Sequence, residues 1–502
     1  MSGTWRLSDV ELDLGGALKV EVITWNVGNA DPSVAWPKVL GGLPENVDML
    51  VVGLQESTFS IKGDKDAMSK VDIMASINHT KAALTKALPR MRIVKHCFRA
   101  QMQLYVFAEK DLCSRITNVE ERLENTGFLH LFPNKGGLLV SLQVDGTKLA
   151  FLSSHLAAHE GVEMCQIRNS SVEEILGGTR VGDTRFDVST QSHHTFFMGD
   201  MNYRSTFSKD VPKSESKIEL GKDAAKEAEV NKHMQARIKK ADAAEDDDSE
   251  DDDGTDTDAH AKMSKKAQKE EDRKKIISMI ASESWSELLK LDELSREVAA
   301  CRVLSGFTPA VPSFPPTFKR TRRQIIQPSG QQAAGSRKWD IIDTDVELYR
   351  APETTSTAAA ESAPASPGSA KEPEKARRSS ISSALAALGG ASSKKDKGVD
   401  LALLPTNHAM RFYDKKRLPS FTDRILTRSL PRFASMLTLH SFCSIEEADT
   451  SDHKPVKASF TLRVGKSLSL SLFSSLLFIR SFARSPSCLA LPFAFGMLHV
   501  KA

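Results

Sequence analysis

The chain lacks several of the patterns that would announce a common chemistry. Its six cysteines, Cys97, Cys113, Cys165, Cys301, Cys443 and Cys488, form no CxxC pair. That excludes a thiolate zinc knuckle and a disulfide framework, and points to a reducing compartment. No HExxH and no glycine-rich nucleotide cradle is present, which sets aside the zinc-protease and nucleotide-binding readings. No apolar run reaches the roughly 20 residues of a spanning helix. Beyond Lys466 the tail is Ser, Leu and Phe, broken by Arg480, Arg484 and Pro486. It reads as an apolar extension without a fold of its own, with membrane association as the alternative. The first strand is expected near Leu18, after a polar leader with no room for a secretory signal. The net charge of +3 conceals strong local swings, and 40% hydrophobic content is enough for a sizeable core.

Within these bounds, the apolar runs are short and end in polar residues. LKVEVITWNV alternates like a strand and ends at Asn26 before Gly28, and Met49 to Leu54 delivers Gln55 and Glu56. Asp66 to Leu88 reads as helical. MQLYVFAEK, SRITNV, GGLLVSLQV and TKLAFLSS then read as an antiparallel meander ending in His155. FFMGDMNYR, from Phe196 to Arg204, is a β-run entering a glycine turn that aims Asp200 and Asn202 at one point.

Residues 208–275 collapse into Lys, Ala, Glu and Asp around EDDDSEDDDGTDTD, and read as a disordered insertion with helix at its edges. The Asp run lacks the spaced ligands of a calcium loop. Apolar residues from Ile276 to Leu294 recur at helical spacing and predict one or two helices. SFPPTFKRTRR then forces an extended entry into a basic cluster, Lys319 to Arg323. Residues 324–404 form a second insertion rich in Ala, Ser and Pro, broken by the island WDIIDTDVELYR, a candidate partner-binding segment. LPSFTDRIL and TSDHKPVKASF close the ordered part. The expected organisation is one catalytic domain over 17–464 carrying both insertions, followed by a tail over 465–502.

Asn26, Glu56, His155, Asp200, Asn202, Asp423, Asp452 and His453 thus stand at or beside strand ends. Hard oxygen ligands suit Mg²⁺, with Glu56 the first candidate and Asn26 and Asp452 in support. Asp200 suits the activation of a water, and Asn202 suits holding that water or a phosphate oxygen. Asp423 with His453 suits a carboxylate that keeps an imidazole protonated against a phosphoryl group. A single Asp or Asn in a turn is more often structural. His155 and His159 would pair on a helix as zinc ligands, but their segment enters from a strand.

Taken in order, TWNVG, GLQES, NKGGLLVSL, SSHLAAHE, GDMNYR, FPPTFK, LPSFTDRIL and TSDHKPV closely resemble the motif series of the inositol polyphosphate 5-phosphatases, within the endonuclease/exonuclease/phosphatase superfamily. The resemblance implies an α/β fold of two packed mixed β-sheets flanked by helices, a four-layer DNase I-like sandwich. It implies Mg²⁺ on Glu56, water activation by Asp200 with Asn202, phosphate contacts from His155 and Asn26, and an Asp423–His453 pair. Substrate contacts are implied for Asn134, Lys135, Tyr203, Arg204, Lys319, Lys415, Arg417 and Arg424. Phe318 stands where relatives carry Tyr, at a cost of about 1 to 2 kcal/mol in 4-phosphate binding if a phenolic bond is lost. Phe421 stands in place of a Trp. The implied activity is removal of the 5-phosphate from phosphatidylinositol 4,5-bisphosphate, the 3,4,5-trisphosphate or soluble inositol phosphates, by a cytoplasmic protein peripheral at membranes. The insertions would recruit protein partners, and no nucleic acid is expected. Two alternatives predict different features. A nuclease of the same superfamily needs a broad basic face, and a non-catalytic scaffold needs only the insertions.

Overall fold

In the computed structural model, residues 14–59, 73–126, 135–207, 256–328, 339–343 and 412–465 are described. The strands are β1 (Leu14–Asn26), β2 (Met49–Gln55), β3 (Met91–Arg99), β4 (Met102–Glu109), β5 (Ile116–Asn125), β6 (Gly136–Val144) and β7 (Thr147–His155). They continue as β8 (His194–Asp200), β9 (Thr308–Pro309), β10 (Gln324–Pro328), β11 (Trp339–Asp343), β12 (Asp423–Ser429), β13 (Leu437–Ser444) and β14 (Val456–Gly465). The helices are α1 (Trp36–Gly41), α2 (Ile73–Ala87), α3 (Lys110–Cys113), α4 (Val162–Gly178), α5 (Val188–Gln191), α6 (Asp256–Ala281), α7 (Trp285–Lys290) and α8 (Glu293–Ala299).

Two six-stranded sheets result, ordered β13-β14-β1-β2-β4-β3 and β5-β6-β7-β8-β12-β9. Alternate residues of the central strands fill the space between them. Val20, Val22 and Val51 of one sheet share a cluster with Val140, Phe151, Phe196 and Met198 of the other. The other faces are covered as well. Ile23, Trp25 and Val52 pack with Trp36, Val39 and Leu84 from α1 and α2. Leu139, Leu152 and Phe197 pack with Val172, Ile175 and Leu294 from α4 and α8. Covering on both faces is why β2 and β8 are buried at every position. The expected four-layer α/β sandwich is therefore the observed fold.

Three expectations change in detail. The meander holds for β5, β6 and β7, whereas β4 lies in the other sheet, paired antiparallel with both β2 and β3. Residues 256–275, expected within the first insertion, belong to α6. Its later turns dock through the Arg273 guanidinium, which donates to the Tyr413 carbonyl at 2.9 Å, and through buried Ile276 and Ile280. Three helices, rather than one or two, occupy 256–299. In the second insertion, the WDIID half of the island pairs antiparallel with β10 as a two-stranded ribbon, and the remainder of the island lies outside the described residues.

Candidate active site

β1 and β2 run parallel with Asn26 opposite Gln55, so the chain leaves both strands at the same edge. Glu56 turns out of β2 in the left-handed region, at φ 50°, which aims its side chain back across the end of β1. Asn26 joins the two sheets: its amide nitrogen donates to Glu56 Oε1 at 3.0 Å and to Asp200 Oδ2 at 2.9 Å. Its Oδ1 accepts from the Gly28 N–H at 2.9 Å. In this orientation Asn26 offers Glu56 a donor, not a metal ligand.

The second sheet places three residues in one row. β7 is parallel to β8 with His155 opposite Asp200, and β12 is antiparallel to β8 with Asp423 opposite Asp200. Gly199 permits this approach, since a Cβ there, at φ 138°, would lie 2.0 Å from the Ser154 carbonyl oxygen. His155 Nε2 is 3.5 Å from Asp200 Oδ2 and 3.7 Å from Glu56 Oε1. Lys135 Nζ reaches the same nitrogen at 2.6 Å. An ammonium only donates, so Nε2 accepts and the proton of the neutral ring sits on Nδ1. Asn202, at φ 55°, donates to the Leu156 carbonyl at 3.0 Å and to Asp200 Oδ2 at 3.2 Å. Both of its donors are thereby engaged. Where the sequence suggested an amide gripping water or phosphate, this side chain instead orients Asp200.

His453 completes the cluster from the loop before β14. Its Nδ1 lies 3.0 Å from Asp423 Oδ2, and its Nε2 lies 3.9 Å from Asp200 Oδ2. Thr317 and Thr422 hydroxyls donate to the same Asp423 oxygen at 2.6 and 2.9 Å. Burial opposes a charge on His453, yet Asp423 and Asp200 outweigh it and push the imidazole up to about 9. Burial pushes the Asp200 carboxyl up to about 6, against the pull of His453 and with a contribution from Asp423. The Phe318 ring lies 4.5 Å from the His453 ring, and the Arg204 guanidinium lies 4.5 Å over its centroid.

The remaining expected contacts divide into those near the cleft and those turned from it. Lys319 is half-buried and Lys415 is exposed, and the charge of half-exposed Arg417 is felt at Arg204. Arg204 itself is buried, donating to Asn202 Oδ1 at 2.6 Å and to the Asn202 carbonyl at 3.1 Å. It therefore positions Asn202. Tyr203 and Arg424 do not meet the expectation of substrate contact, because both side chains are engaged elsewhere, Arg424 through strand alternation in β12. The Tyr203 hydroxyl donates to Asn169 at 2.7 Å beneath α4. The Arg424 guanidinium pairs with buried Asp292 at 2.7 Å, on the opposite side of β12 from Asp423. Asn134 lies outside the described residues. Thr317, Thr422 and Arg322 were not singled out from sequence, although FPPTFK and the basic cluster contain two of them.

The donor chemistry fits a hard cation. Ligand atoms of Asp200, Asp423 and His453 lie within 4.8 Å of one another, and Asp423 Oδ1 is buried with no hydrogen-bond partner among the described residues. A protonated imidazole cannot ligate, so the carboxylates are the donors. Asp452 is held below the usual carboxylate range: burial raises it, but His453, Arg322 and Lys319 prevail. It is therefore available as an anion.

Two mixed sheets with acids and imidazoles gathered at one edge define a DNase I-like α/β sandwich. The sequence model of Endonuclease/Exonuclease/phosphatase family 2 matches residues 23–247 and 404–459, and the chain belongs to that family. The chain is similar to phosphatidylinositol 3,4,5-trisphosphate 5-phosphatase 2A of Danio rerio, 26% identical over 196 residues, covering 37% of this chain and 15% of the relative. It is also similar to phosphatidylinositol 3,4,5-trisphosphate 5-phosphatase 1 of Xenopus laevis, 29% identical over 202 residues, covering 37% and 18%. These matches span less than a fifth of each relative's length. The fold matches the inositol polyphosphate 5-phosphatase domain of SPsynaptojanin, solved with inositol (1,4)-bisphosphate and calcium, at TM-score 0.52 and 16% identity, over 93% of this chain and 90% of that one.

Proposed function

We propose that the chain is a Mg²⁺-dependent phosphomonoester hydrolase that removes the 5-phosphate from phosphoinositides or soluble inositol polyphosphates. The observation that carries this reading is convergence: Asn26, Glu56, His155, Asp200, Asp423 and His453, spread along the chain, form one contact network at a sheet edge. The names of the similar proteins point to the same substrate class.

A bound divalent cation would supply charge neutralisation at the phosphoryl oxygens; Glu56 and Asp452 would hold it, with the unpartnered Asp423 Oδ1 as a further carboxylate donor. Asp200, raised to about 6, is ionised at neutral pH yet basic enough to take a proton from an in-line water. Asn26 and Asn202 fix the orientation of its carboxylate. His453, kept protonated by Asp423, places a positive charge beside the phosphoryl group, and Lys135 adds a second at His155. The water oxygen bonds to phosphorus as the bond to the inositol oxygen breaks; the leaving oxygen takes a proton from solvent, and Asp200 later returns to solvent the one it took from the water. A cytoplasmic protein working at a membrane surface suits this substrate class.

The test is phosphate release from phosphatidylinositol 4,5-bisphosphate and from inositol 1,4,5-trisphosphate, with Mg²⁺ or chelator, for wild type and Asp200→Ala. Loss of activity on chelation and a fall of about 100-fold or more in the variant are expected. Equal turnover in either arm refutes the mechanism, and nicking of plasmid DNA in place of phosphate release favours a nuclease.

A further inference from the structure

The basic cluster after the double proline contains an arginine that none of the roles above uses. Residues 320–323 run alongside the loop that carries Asp452: the Arg320 N–H donates to the Asp452 carbonyl and the Arg323 N–H to the Asp449 carbonyl, each at 2.7 Å. From this anchored backbone the Arg322 guanidinium spans two chain segments at once. Its Nη2 donates to the Gly28 carbonyl at 2.7 Å and to Asp452 Oδ1 at 3.3 Å. Gly28 follows Asn26 at the end of β1, and Ser451 bonds the Asn26 carbonyl at 2.7 Å from the other side. The space around Gly28 is tight: a Cβ there would lie 2.6 Å from Arg322 Nη2 and 2.7 Å from Asp452 Oδ1. The three groups therefore fit together only because the residue at 28 has no side chain.

We infer that Arg322 is a positioning residue: by holding one Asp452 oxygen against the Gly28 carbonyl, it presents the other oxygen to a divalent cation in a fixed orientation. The inference rests on the proposed hydrolase reading. Arg322 is 46% exposed in its side chain, so its replacement leaves the core untouched. An outer group that fixes a ligating carboxylate typically sets cation affinity by about 10-fold to 100-fold.

The experiment is calorimetric titration of the full chain with MgCl₂ and with CaCl₂, in wild type, Arg322→Ala, Arg322→Gln and Arg322→Lys, with thermal melts to verify folding. Phosphate release against substrate concentration is then measured at saturating Mg²⁺. Cation affinity is expected to fall about 10-fold or more in the Ala and Gln variants, with partial recovery in Lys, which keeps one donor for the Gly28 carbonyl. KM at saturating Mg²⁺ is expected to change less than about two-fold, since the effect is on the cation and not on uniform substrate binding. Unchanged or tighter cation binding in the variants overturns the inference. So does a raised KM with unaltered cation affinity, which would make Arg322 a substrate contact. A wild-type chain that neither binds cation nor releases phosphate overturns the hydrolase reading and this inference with it. Wild-type binding and turnover alongside unaffected variants overturns the inference alone.

Discussion

Asp423 stands directly opposite Asp200 in the antiparallel ladder between β12 and β8, so two carboxylates share one row of the sheet. Both are buried, and His453 lies between them. One carboxylate thereby holds the imidazole while the other remains available to water. Asp423→Asn keeps the shape but removes the charge that holds the imidazole protonated. Phosphate release is expected to fall by about 100-fold to 10,000-fold. The acidic limb of the rate–pH profile should also move above about 6, because losing the protonated imidazole removes a pull on Asp200 that is larger than the Asp423 push lost with it. Steady-state rates across pH 4 to 8 give both quantities.

Two buried histidines should move stability with pH in opposite directions. His194 is buried, its Nδ1 is 2.8 Å from Ser429 Oγ, and burial followed by the charge of His193 pulls it down to about 4. The unfolded chain, near 6.5, binds more protons than the fold between 6.5 and 4, so stability is lost as pH falls through that window. His453 works the other way. Raised to about 9, it contributes stability that is complete below 6.5 and lost as pH climbs to 9. Urea midpoints of metal-free protein at pH 4.5, 6.5 and 9 should peak at the middle value. His194→Phe should lessen the acid-side loss without removing it, because burial also pulls His96 down to about 4.

The Arg424–Asp292 pair is buried on both sides, so removing one partner strands a charge. Arg424→Met should cost about 3 to 5 kcal/mol in urea unfolding. The double variant Arg424→Met, Asp292→Leu should recover only part of that loss, because Asp292 also caps α8 by accepting from the Ser295 N–H and hydroxyl. The kcat/KM of the folded double variant should match wild type, because Arg424 faces away from the acids. A selective rise in KM in the double variant would restore it to the substrate site.

Phe318 contacts both the Arg204 guanidinium and the His453 ring. Its aromatic face therefore acts on two cations, at about 1 to 2 kcal/mol in a desolvated setting. Phe318→Leu should lower kcat about ten-fold, and Phe318→Tyr should retain wild-type kcat. Any gain by the Tyr variant on substrates bearing a 4-phosphate would measure the phenolic bond separately, as a change in KM.

Part of the candidate site was legible because several of its residues end a β-run. The apolar strand fixes the endpoint, and the next polar residue has one place to go, as at Asn26, His155 and Asp200. Sheet membership was not legible. The alternation in β4 is equally satisfied in either sheet, and its partner β3 reads as charged because Arg92 and Lys95 lie on a partly exposed strand. Orientation was lost for a related reason. Tyr203 and Arg424 are neighbours in sequence of Asn202 and Asp423, and the one-residue offset that makes them look catalytic sends Arg424 to the opposite side of β12 and Tyr203 to Asn169. The start of α6 was hidden in a charged run because Lys, Ala and Glu suit helix and solvent alike. What decides its docking is Arg273 reaching Tyr413, a contact between residues 140 positions apart.

The return of α6 has one more result. The Lys275 ammonium lies 5.8 Å over the Phe207 ring, so the polypeptide comes back almost to where it departed. That contact closes residues 208–274 into a loop, whose last part, from Asp256 onward, is α6. Closure entropy grows only with the logarithm of length, about 0.6 kcal/mol per doubling. Added length ahead of α6 therefore costs little in closure, and the strands that carry Asp200 and Asp423 keep their register.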